Sequence, residues 1–88
     1  MLQVQVGDII RSYDFKPMVG RNDCYVEGRV VAVKDTSNGY DAYRIEVTRD
    51  YWDGADQSGE DSRVGKITYV PWAVSFMEYP GRVMNLSR

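Results

Sequence analysis

The sequence predicts an all-β protein, namely a small five-stranded antiparallel barrel that is strongly bent. In most segments an apolar residue recurs at every second position, which is typical of half-buried strands. Gly, Asn and Asp residues separate these segments, and the second segment changes its exposed face midway, as a bent strand does. The 88 residues are therefore expected to form a single domain, residues 1–88, with one modest core.

The first two strands are predicted in the first third of the chain. VQVGDIIRSY, residues 4–13, forms the first strand, and CYVEGRVVAVK, residues 24–34, forms a longer second strand rich in valine. Because Gly28 has no side chain to resist a kink or a bulge, we expect the second strand to bend there. Cys24, the only cysteine, is expected to be a small buried thiol.

The third strand follows a predicted reversal of the chain. The Asn38-Gly39 dipeptide readily adopts positive φ and therefore predicts a tight turn. After it, AYRIEVTRDYW at residues 42–52 shows the clearest alternation in the chain. Tyr43 lies on its apolar side, so this segment is interpreted as a half-buried antiparallel strand.

The last two strands follow an acidic segment. VGKITYVP, residues 64–71, forms the fourth strand with Tyr69 on its apolar side, and RVMNL, residues 82–86, forms the fifth. Between them, the aromatic residues of WAVSFMEY are spaced by four and three, which allows at most one short helical turn near residues 72–79. An α+β sheet in which this segment covers one face is the alternative fold. Tyr43 and Tyr69, which alternate with aliphatic residues, and Trp72, next to a proline, are expected in the core.

The inventory of reactive side chains excludes several classes of enzyme. The chain has no histidine and one cysteine, which excludes Ser-His and Cys-His nucleophile pairs, His-ligated zinc and intramolecular disulfides. Neither the phosphate-binding pattern GxxxxGK nor the dinucleotide pattern GxGxxG occurs. We therefore expect a non-enzymatic protein with no cofactor and no bound metal. A metal-dependent enzyme is the least favoured alternative.

One acidic segment resembles a cation-binding loop. DYWDGADQSGED, residues 50–61, contains five of the 13 acidic residues and no basic residue. In a calcium-binding EF loop counted from Asp50, ligand positions three and five would be Trp52 and Gly54, so the pattern fails. We interpret the segment as a charged loop that keeps the protein soluble and prevents edge pairing. The alternative is a weak cation site built from three acidic residues, Asp53, Asp56 and Glu60.

The charge balance leaves nucleic-acid binding open. The formal net charge is −2 and the sequence pI is about 4.9, which argues against a general nucleic-acid coat. Outside residues 50–61, however, the remaining 13 − 5 = 8 acids are accompanied by all 11 bases. Binding of single-stranded RNA or DNA is therefore the second functional hypothesis. It requires four basic residues on one face, Arg29, Arg44, Arg49 and Lys66.

The ends and apolar runs of the chain predict its compartment. No apolar run approaches the roughly 20 residues of a membrane-spanning helix. The first ten residues, MLQVQVGDII, lack the basic start and the apolar block of a secretory signal. We therefore expect a cytoplasmic protein with no membrane partner.

The order of elements resembles that of the Sm-like and SH3-like five-stranded barrels. VGDIIRSYDF is similar to the first strand and long loop of SH3-like barrels. YVEGRVVAVKDTSNGYDAYRIEV is similar to the first Sm motif, in which Gly28 would match the bend and Asp35 and Asn38 the turn. The arginine-glycine turn of the second Sm motif is missing near residues 67–71. The resemblance implies the fold only, and such a barrel would suit a protein of phage or environmental origin.

Aromatic and arginine residues predict a partner-binding surface. The chain has seven tyrosines and two tryptophans, and these residue types, with arginine, are enriched at protein interfaces. Trp52 lies on the polar side of the alternation in its strand and is expected to be exposed. We predict that a protein partner or a second copy of the chain binds through four residues, Arg44, Arg49, Tyr51 and Trp52.

Overall fold

Six antiparallel strands make up the computed structural model, which describes residues 3–37, 39–72, 79 and 81–87. The strands are β1 (Ile9–Tyr13), β2 (Tyr25–Ser37), β3 (Tyr40–Trp52), β4 (Ala55–Asp56), β5 (Ile67–Pro71) and β6 (Val83–Asn85). No described residue is helical, and none of the described chain could cross a membrane as a helix. The all-β prediction is confirmed. The helical turn predicted near residues 72–79 falls largely outside the described residues.

The central strand of the sheet is β3. The strand order is β4-β3-β2-β1-β6. β4 and β5 both pair with the edge of β3 that is opposite β2. β5 pairs with the first part of β3, and β4 pairs with its end. The five predicted strands correspond to β1, β2, β3, β5 and β6, whereas β4 is an additional two-residue strand inside the acidic segment. Among the described residues no pairing joins β5 to β6, so the hydrogen-bonded sheet is open.

β2 bends through three register irregularities against β3. The first lies between Glu27 and Gly28, at the glycine for which the sequence predicts a bend. A Cβ atom on Gly28 would lie 2.6 Å from the backbone oxygen of Glu46 and 2.9 Å from Cδ1 of Ile45. Glycine is therefore required here because β3 passes too close to β2 for any side chain.

The same irregularity adds one residue to β3. Gly28 pairs with Val47 and Glu27 pairs with Arg49, so Thr48 has no partner in β2. The Thr48 hydroxyl donates a hydrogen bond to the Glu27 carbonyl at 3.3 Å. Because side chains alternate between the two faces of a strand, one extra residue reverses the facing of every residue that follows it. The alternation before Thr48 therefore does not extend to the end of β3.

The hydrophobic core lies on one face of the bent sheet. Its buried members are Ile10, Val26, Val30, Tyr43, Ile45, Val47 and Val70. The predicted core position of Tyr43 is confirmed, and Trp72 packs partly buried against this cluster. The core position predicted for Tyr69 is wrong. Val70 pairs with Tyr43 and points inward, whereas Tyr69 pairs with Arg44 and is 44% exposed.

Candidate functional site

Three tyrosines form a row across the outer face of the sheet. Tyr13 of β1 pairs with Tyr25 of β2, which pairs with Tyr51 of β3. The rings of Tyr25 and Tyr51 stack with their centroids 4.7 Å apart, and Tyr13 contacts Tyr25 edge to face at 5.4 Å. Burial in this row raises the pKa of Tyr25. Cross-strand aromatic contacts of this kind stabilise a sheet outside its main core.

A row of charged side chains runs beside the tyrosines. Glu27 lies between Arg11 and Arg49. Its Oε2 atom accepts a hydrogen bond from Arg11 Nε at 2.7 Å and lies 3.9 Å from Arg49 Nη1. The guanidinium of Arg11 lies 4.3 Å from the centre of the Tyr25 ring, and that of Arg49 lies 5.1 Å from the Tyr51 ring. Each of the two arginines therefore lies near both the Glu27 carboxylate and an aromatic ring.

Ion pairing continues from this row into β4. Arg49 Nε donates a hydrogen bond to Asp56 Oδ1 at 2.7 Å. This bond holds the pKa of Asp56 below its ordinary value and raises the pKa of Arg49. Burial alone would lower the pKa of Arg11, but its hydrogen bonds with Tyr13 and Glu27 raise the pKa above the ordinary value. The outer rows therefore hold fixed, paired charges.

A different surface forms at the hairpin between β3 and β4. Asp53 and Gly54 have φ values of 52° and 86°, as a two-residue hairpin turn requires, and Trp52 pairs with Ala55 across it. The Trp52 side chain is 43% exposed. Its ring contacts Phe15 edge to face, with 5.6 Å between the ring centroids. Two exposed aromatic rings thus lie together at this end of the molecule.

The loop between β1 and β2 is held against this hairpin. Asn22 Nδ2 donates a hydrogen bond to the Asp53 carbonyl at 3.3 Å. The backbone N–H of Asp53 in turn donates to Cys24 Sγ at 3.4 Å. Cys24 is buried, as predicted. These contacts keep the loop, and with it Phe15, beside the hairpin.

Arg63 connects the same loop to β3. Its Nη1 and Nη2 atoms donate to the Asp14 carboxylate at 2.9 and 3.0 Å, and Nη2 also donates to Asp50 Oδ1 at 2.8 Å. Hydrogen bonding from Arg63 lowers the pKa of Asp50 although that carboxyl is buried. Hydrogen bonding to Asp14 raises the pKa of Arg63. The guanidinium lies 5.8 Å from the centre of the Trp52 ring, so this ion-paired group also supports the indole.

An open depression of about 400 Å³ lies beside these groups, lined by Asp50, Trp52, Gln57, Asp61 and Arg63. We refer to these five residues together with Phe15 as the Trp52 site. The volume is near the lower end of the roughly 300–1,000 Å³ typical of small-molecule pockets. Four of the five lining residues are polar or charged and the depression is open to solvent, so it suits a side chain of a partner better than an enclosed ligand.

The four predicted partner-binding residues do not lie on one surface. Arg49 and Tyr51 belong to the paired rows of the outer face, whereas Trp52 lies at the Trp52 site. Arg44 is further back along β3 and forms an ion pair with Asp35 at 3.5 Å. The structure therefore brings together two of the four residues and separates the other two.

The exposure expected for Trp52 is observed, but its cause is different. The extra residue Thr48 reverses the facing of the end of β3, so Asp50 pairs with Val26 on the core face. Trp52 follows two residues later and shares that side. It is exposed because β3 extends beyond the core at this point, and not because it lies on the polar face.

Sequence reasoning missed Phe15, Asp14 and Arg63 as parts of the site. Asp14 and Arg63 are 49 positions apart, and no local pattern relates two charged residues at such a separation. One signal was available, since the Asp53-Gly54 dipeptide is a strong indicator of a two-residue hairpin. That indicator would have placed Trp52 at the end of a strand instead of at the start of a loop.

The basic residues proposed for nucleic-acid binding are paired with acceptors. The three arginines form ion pairs of 2.7–3.6 Å with carboxylates. Lys66 Nζ donates a hydrogen bond to the Glu60 carbonyl at 3.3 Å. The ion pairs join Arg29 to Glu46, Arg44 to Asp35 and Arg49 to Asp56.

The acidic segment is held by hydrogen bonds of its own. The backbone N–H of Gln57 donates to the Asp50 carbonyl at 2.7 Å, and Asp53 Oδ1 accepts a bond from Asn22 at 3.3 Å. In the described part of the chain, no three acidic or cysteine side chains are grouped closely enough to hold a metal ion. The carboxylates of Asp50, Asp53 and Asp56 are directed toward Arg63, Asn22 and Arg49, respectively.

No family model, no curated protein and no solved structure matches the chain. The function of the protein is therefore inferred from the chemistry of the Trp52 site and of the outer face.

Proposed function

We propose that the protein is a non-enzymatic interaction module that binds a protein partner through the Trp52 site. The observation that carries this proposal is the exposed Trp52–Phe15 pair, held in place by the ion-paired Arg63. Tryptophan and arginine are the residue types most enriched at the energetic centres of protein interfaces. An indole that is already held by its neighbours loses little conformational freedom when a partner binds.

The outer face is a weaker candidate because its polar groups already satisfy one another. A partner that used Arg11 or Arg49 there would have to displace Glu27 or an aromatic contact. At the Trp52 site, by contrast, Asp61 is exposed and forms no ion pair or hydrogen bond with the rest of the described chain. A partner can therefore bind the Asp61 carboxylate without breaking an interaction within the described chain.

The same charges favour a protein partner over single-stranded nucleic acid. Nucleic-acid binding draws its affinity from unpaired cations that replace counterions on phosphates. Here three surface arginines are ion paired, and the carboxylates around Trp52 would repel a phosphate chain. Arg21 lies against the Phe15 ring, but a stacking surface with more carboxylates than free cations beside it is a poor site for a polyanion.

A non-enzymatic role is supported by the state of Asp50, the buried carboxylate at the site. Catalysis by proton transfer requires a group whose pKa lies near the operating pH. The hydrogen bonds from Arg63 move the pKa of Asp50 away from neutrality, below its ordinary value. Asp50 is thereby a fixed anion that positions Arg63, and not a proton donor or acceptor.

The proposal is tested by comparing two exposed aromatic residues. Trp52→Ala and Tyr69→Ala remove side chains of nearly equal exposure, 43% and 44%, from the Trp52 site and from β5. Each tagged variant is used to capture proteins from its native cell, and the captured proteins are quantified by mass spectrometry. We expect a partner that is retained by the wild type and Tyr69→Ala, and lost at least tenfold with Trp52→Ala.

Three outcomes decide against this form of the proposal. Equal capture by both variants would remove Trp52 from the interface. Recovery of RNA or DNA that depends on Trp52 would replace the protein partner by a nucleic acid. A concentration-dependent dimer that Trp52→Ala abolishes in analytical ultracentrifugation would make the partner a second copy of the chain.

We also propose that the bent sheet belongs to a small cytoplasmic barrel of the Sm-like or SH3-like type. Its support is the curvature of the sheet. β2 and β5 flank β3 on opposite sides, and residues of the two strands nevertheless approach within 8 Å, closer than the roughly 9.6 Å separation across a flat three-stranded sheet. Amide hydrogen exchange tests closure, because slow exchange along the outer edges of both β5 and β6 is expected only if those edges are covered.

A further inference from the structure

We infer that the occupant of the Trp52 site is a cationic side chain, arginine or lysine, presented by the partner protein. This inference deepens the proposed interaction function and rests on it. It follows from three properties of the site, namely its net charge, its unused hydrogen-bond acceptors and its exposed ring.

The charged groups of the site sum to a negative charge. Arg63 is shared between Asp14 and Asp50, so these three groups together carry one negative charge. Asp61 adds another, and no basic residue occurs within residues 50–61. Arg21, whose guanidinium lies 5.7 Å from the centre of the Phe15 ring, offsets one of these charges and leaves the sum negative. A depression with excess negative charge raises the local concentration of cations and disfavours anionic groups.

The unused hydrogen-bonding groups in the depression are acceptors. Gln57 Nε2 donates to the carbonyls of Trp52 and Ala55 at 3.3 and 3.2 Å, so the amide nitrogen is occupied. Within the described chain its Oε1 atom has no donor, and neither has the carboxylate of Asp61. An occupant that satisfies these atoms must bring hydrogen-bond donors, as guanidinium and ammonium groups do.

The aromatic wall accounts for the rest of an arginine or lysine side chain. The apolar stem of such a residue packs along an exposed indole while its charged end reaches a carboxylate. Trp52 provides that ring, and Phe15 limits its movement. A bare divalent cation would use neither ring and would lack a group of three acidic ligands among the described residues.

The test uses blocked tripeptides and the whole chain. Acetyl-Gly-Arg-Gly-amide and its neutral counterpart acetyl-Gly-Gln-Gly-amide are titrated into ¹⁵N-labelled protein, and the Trp52 indole N–H is followed by NMR. We expect the arginine peptide to shift this signal with a dissociation constant of roughly 1–10 mM, as one isolated side chain contact allows. The glutamine peptide should bind at least about fivefold more weakly, as expected for loss of a charged contact.

Matched variants assign the effect to the site. Asp61→Asn should weaken binding of the arginine peptide about threefold to fivefold, and Asp61→Lys should abolish it. Glu60→Gln changes a neighbouring acidic residue that does not line the depression and should change affinity less than twofold. Trp52→Leu should also weaken binding, because it removes the ring; in this variant the side-chain amide signal of Gln57, which lines the depression, is followed instead of the indole.

Several results would overturn the inference. Equal binding of the two peptides, equal effects of Asp61→Asn and Glu60→Gln, or signal changes centred on another surface would each do so. A Trp52 shift produced by magnesium chloride at the same concentrations would replace the side chain by a metal ion. If neither peptide binds but Trp52→Ala still captures less of a partner protein than the wild type, the interaction function stands and only the cationic occupant is wrong. If Trp52→Ala captures the same proteins as the wild type, both proposals are wrong.

Discussion

Replacing Gly28 by alanine tests the closest approach between two strands of the sheet. The new Cβ atom would lie 2.6 Å from the Glu46 carbonyl oxygen and 2.9 Å from Cδ1 of Ile45. The Ile45 atom is the end of a side chain and can rotate away. The Glu46 oxygen belongs to the backbone of β3 and moves only if the two strands separate.

The size of the effect follows from that separation. Ordinary contact begins at 3.4 Å, so the oxygen must retreat by 3.4 − 2.6 = 0.8 Å. Strands normally lie about 4.7–4.9 Å apart, and an increase of this size stretches the adjacent interstrand hydrogen bonds beyond about 3.2 Å. Overpacking costs roughly 1–3 kcal/mol, and each weakened hydrogen bond adds about 1 kcal/mol. We expect Gly28→Ala to lower the free energy of unfolding by about 3 kcal/mol, or Tm by roughly 12–24 °C.

Urea unfolding followed by circular dichroism measures this change. Ile45→Val removes Cδ1 and alone should cost about 1 kcal/mol. In the Ile45→Val background, Gly28→Ala should still cost about 2 kcal/mol, because the contact with the Glu46 backbone remains. Gly65→Ala is the control, since Gly65 has a φ of 83° and nothing within 4 Å of its Cβ position. It should show only the cost of positive φ, about 1–2 kcal/mol.

Either of two results would contradict a fixed close approach of β2 and β3. A cost below about 1 kcal/mol for Gly28→Ala would mean that β2 and β3 separate easily. Complete rescue by Ile45→Val would mean that the side chain, and not the backbone, determines the need for glycine at position 28.

Two further predictions concern buried carboxylates. The hydrogen bonds of Arg63 lower the folded pKa of Asp50 below its unfolded value of about 3.9, so this stabilisation is present above about pH 4 and is lost as the pH falls through the folded pKa. Asp50→Asn should therefore reduce the decline in unfolding free energy between about pH 5 and pH 2.5, and an unchanged decline in urea titrations would contradict the assignment. Glu27→Gln should cost about 2 kcal/mol because it leaves Arg11 half-buried beside a neutral amide, whereas Glu46→Gln should cost less than about 1 kcal/mol. The two glutamate side chains are 12% and 48% exposed, so equal costs by urea unfolding would show that burial does not set the strength of these ion pairs.

Much of the fold could be predicted from local sequence patterns. The bend at Gly28 and the reversal before Tyr40 follow from residues whose backbone preferences act locally. The inward direction of Tyr43 follows from the alternation around it. The facing of Tyr69 could not be obtained in this way, because both sides of the five-residue strand Ile67–Pro71 carry apolar side chains. Ile67 and Tyr69 lie on one side, and Val70 lies with Thr68 on the other. Which set faces inward was decided by pairing with β3, where Val70 lies opposite Tyr43.

The candidate site was less predictable because its parts are distant in the chain. Trp52 was found from its residue type, but Phe15 and Arg63 reach it only through a loop and an ion pair with Asp14. Such contacts depend on the three-dimensional path of the chain. No periodicity or short motif in a single sequence records them.

The bulge in the β2–β3 ribbon connects the fold to the site. The close approach that requires glycine at position 28 is also where Thr48 is added to β3 without a partner. Before Thr48 the core-facing residues Tyr43, Ile45 and Val47 are odd-numbered, and after it Arg49 and Tyr51 face outward while the even-numbered Trp52 takes the inward side. Without the extra residue, Trp52 would lie on the outer face among the paired charges, away from Arg63. The position of the exposed indole is therefore set by a packing constraint 24 residues earlier in the chain (52 − 28), and this is why strand alternation alone could not locate the surface on which it lies.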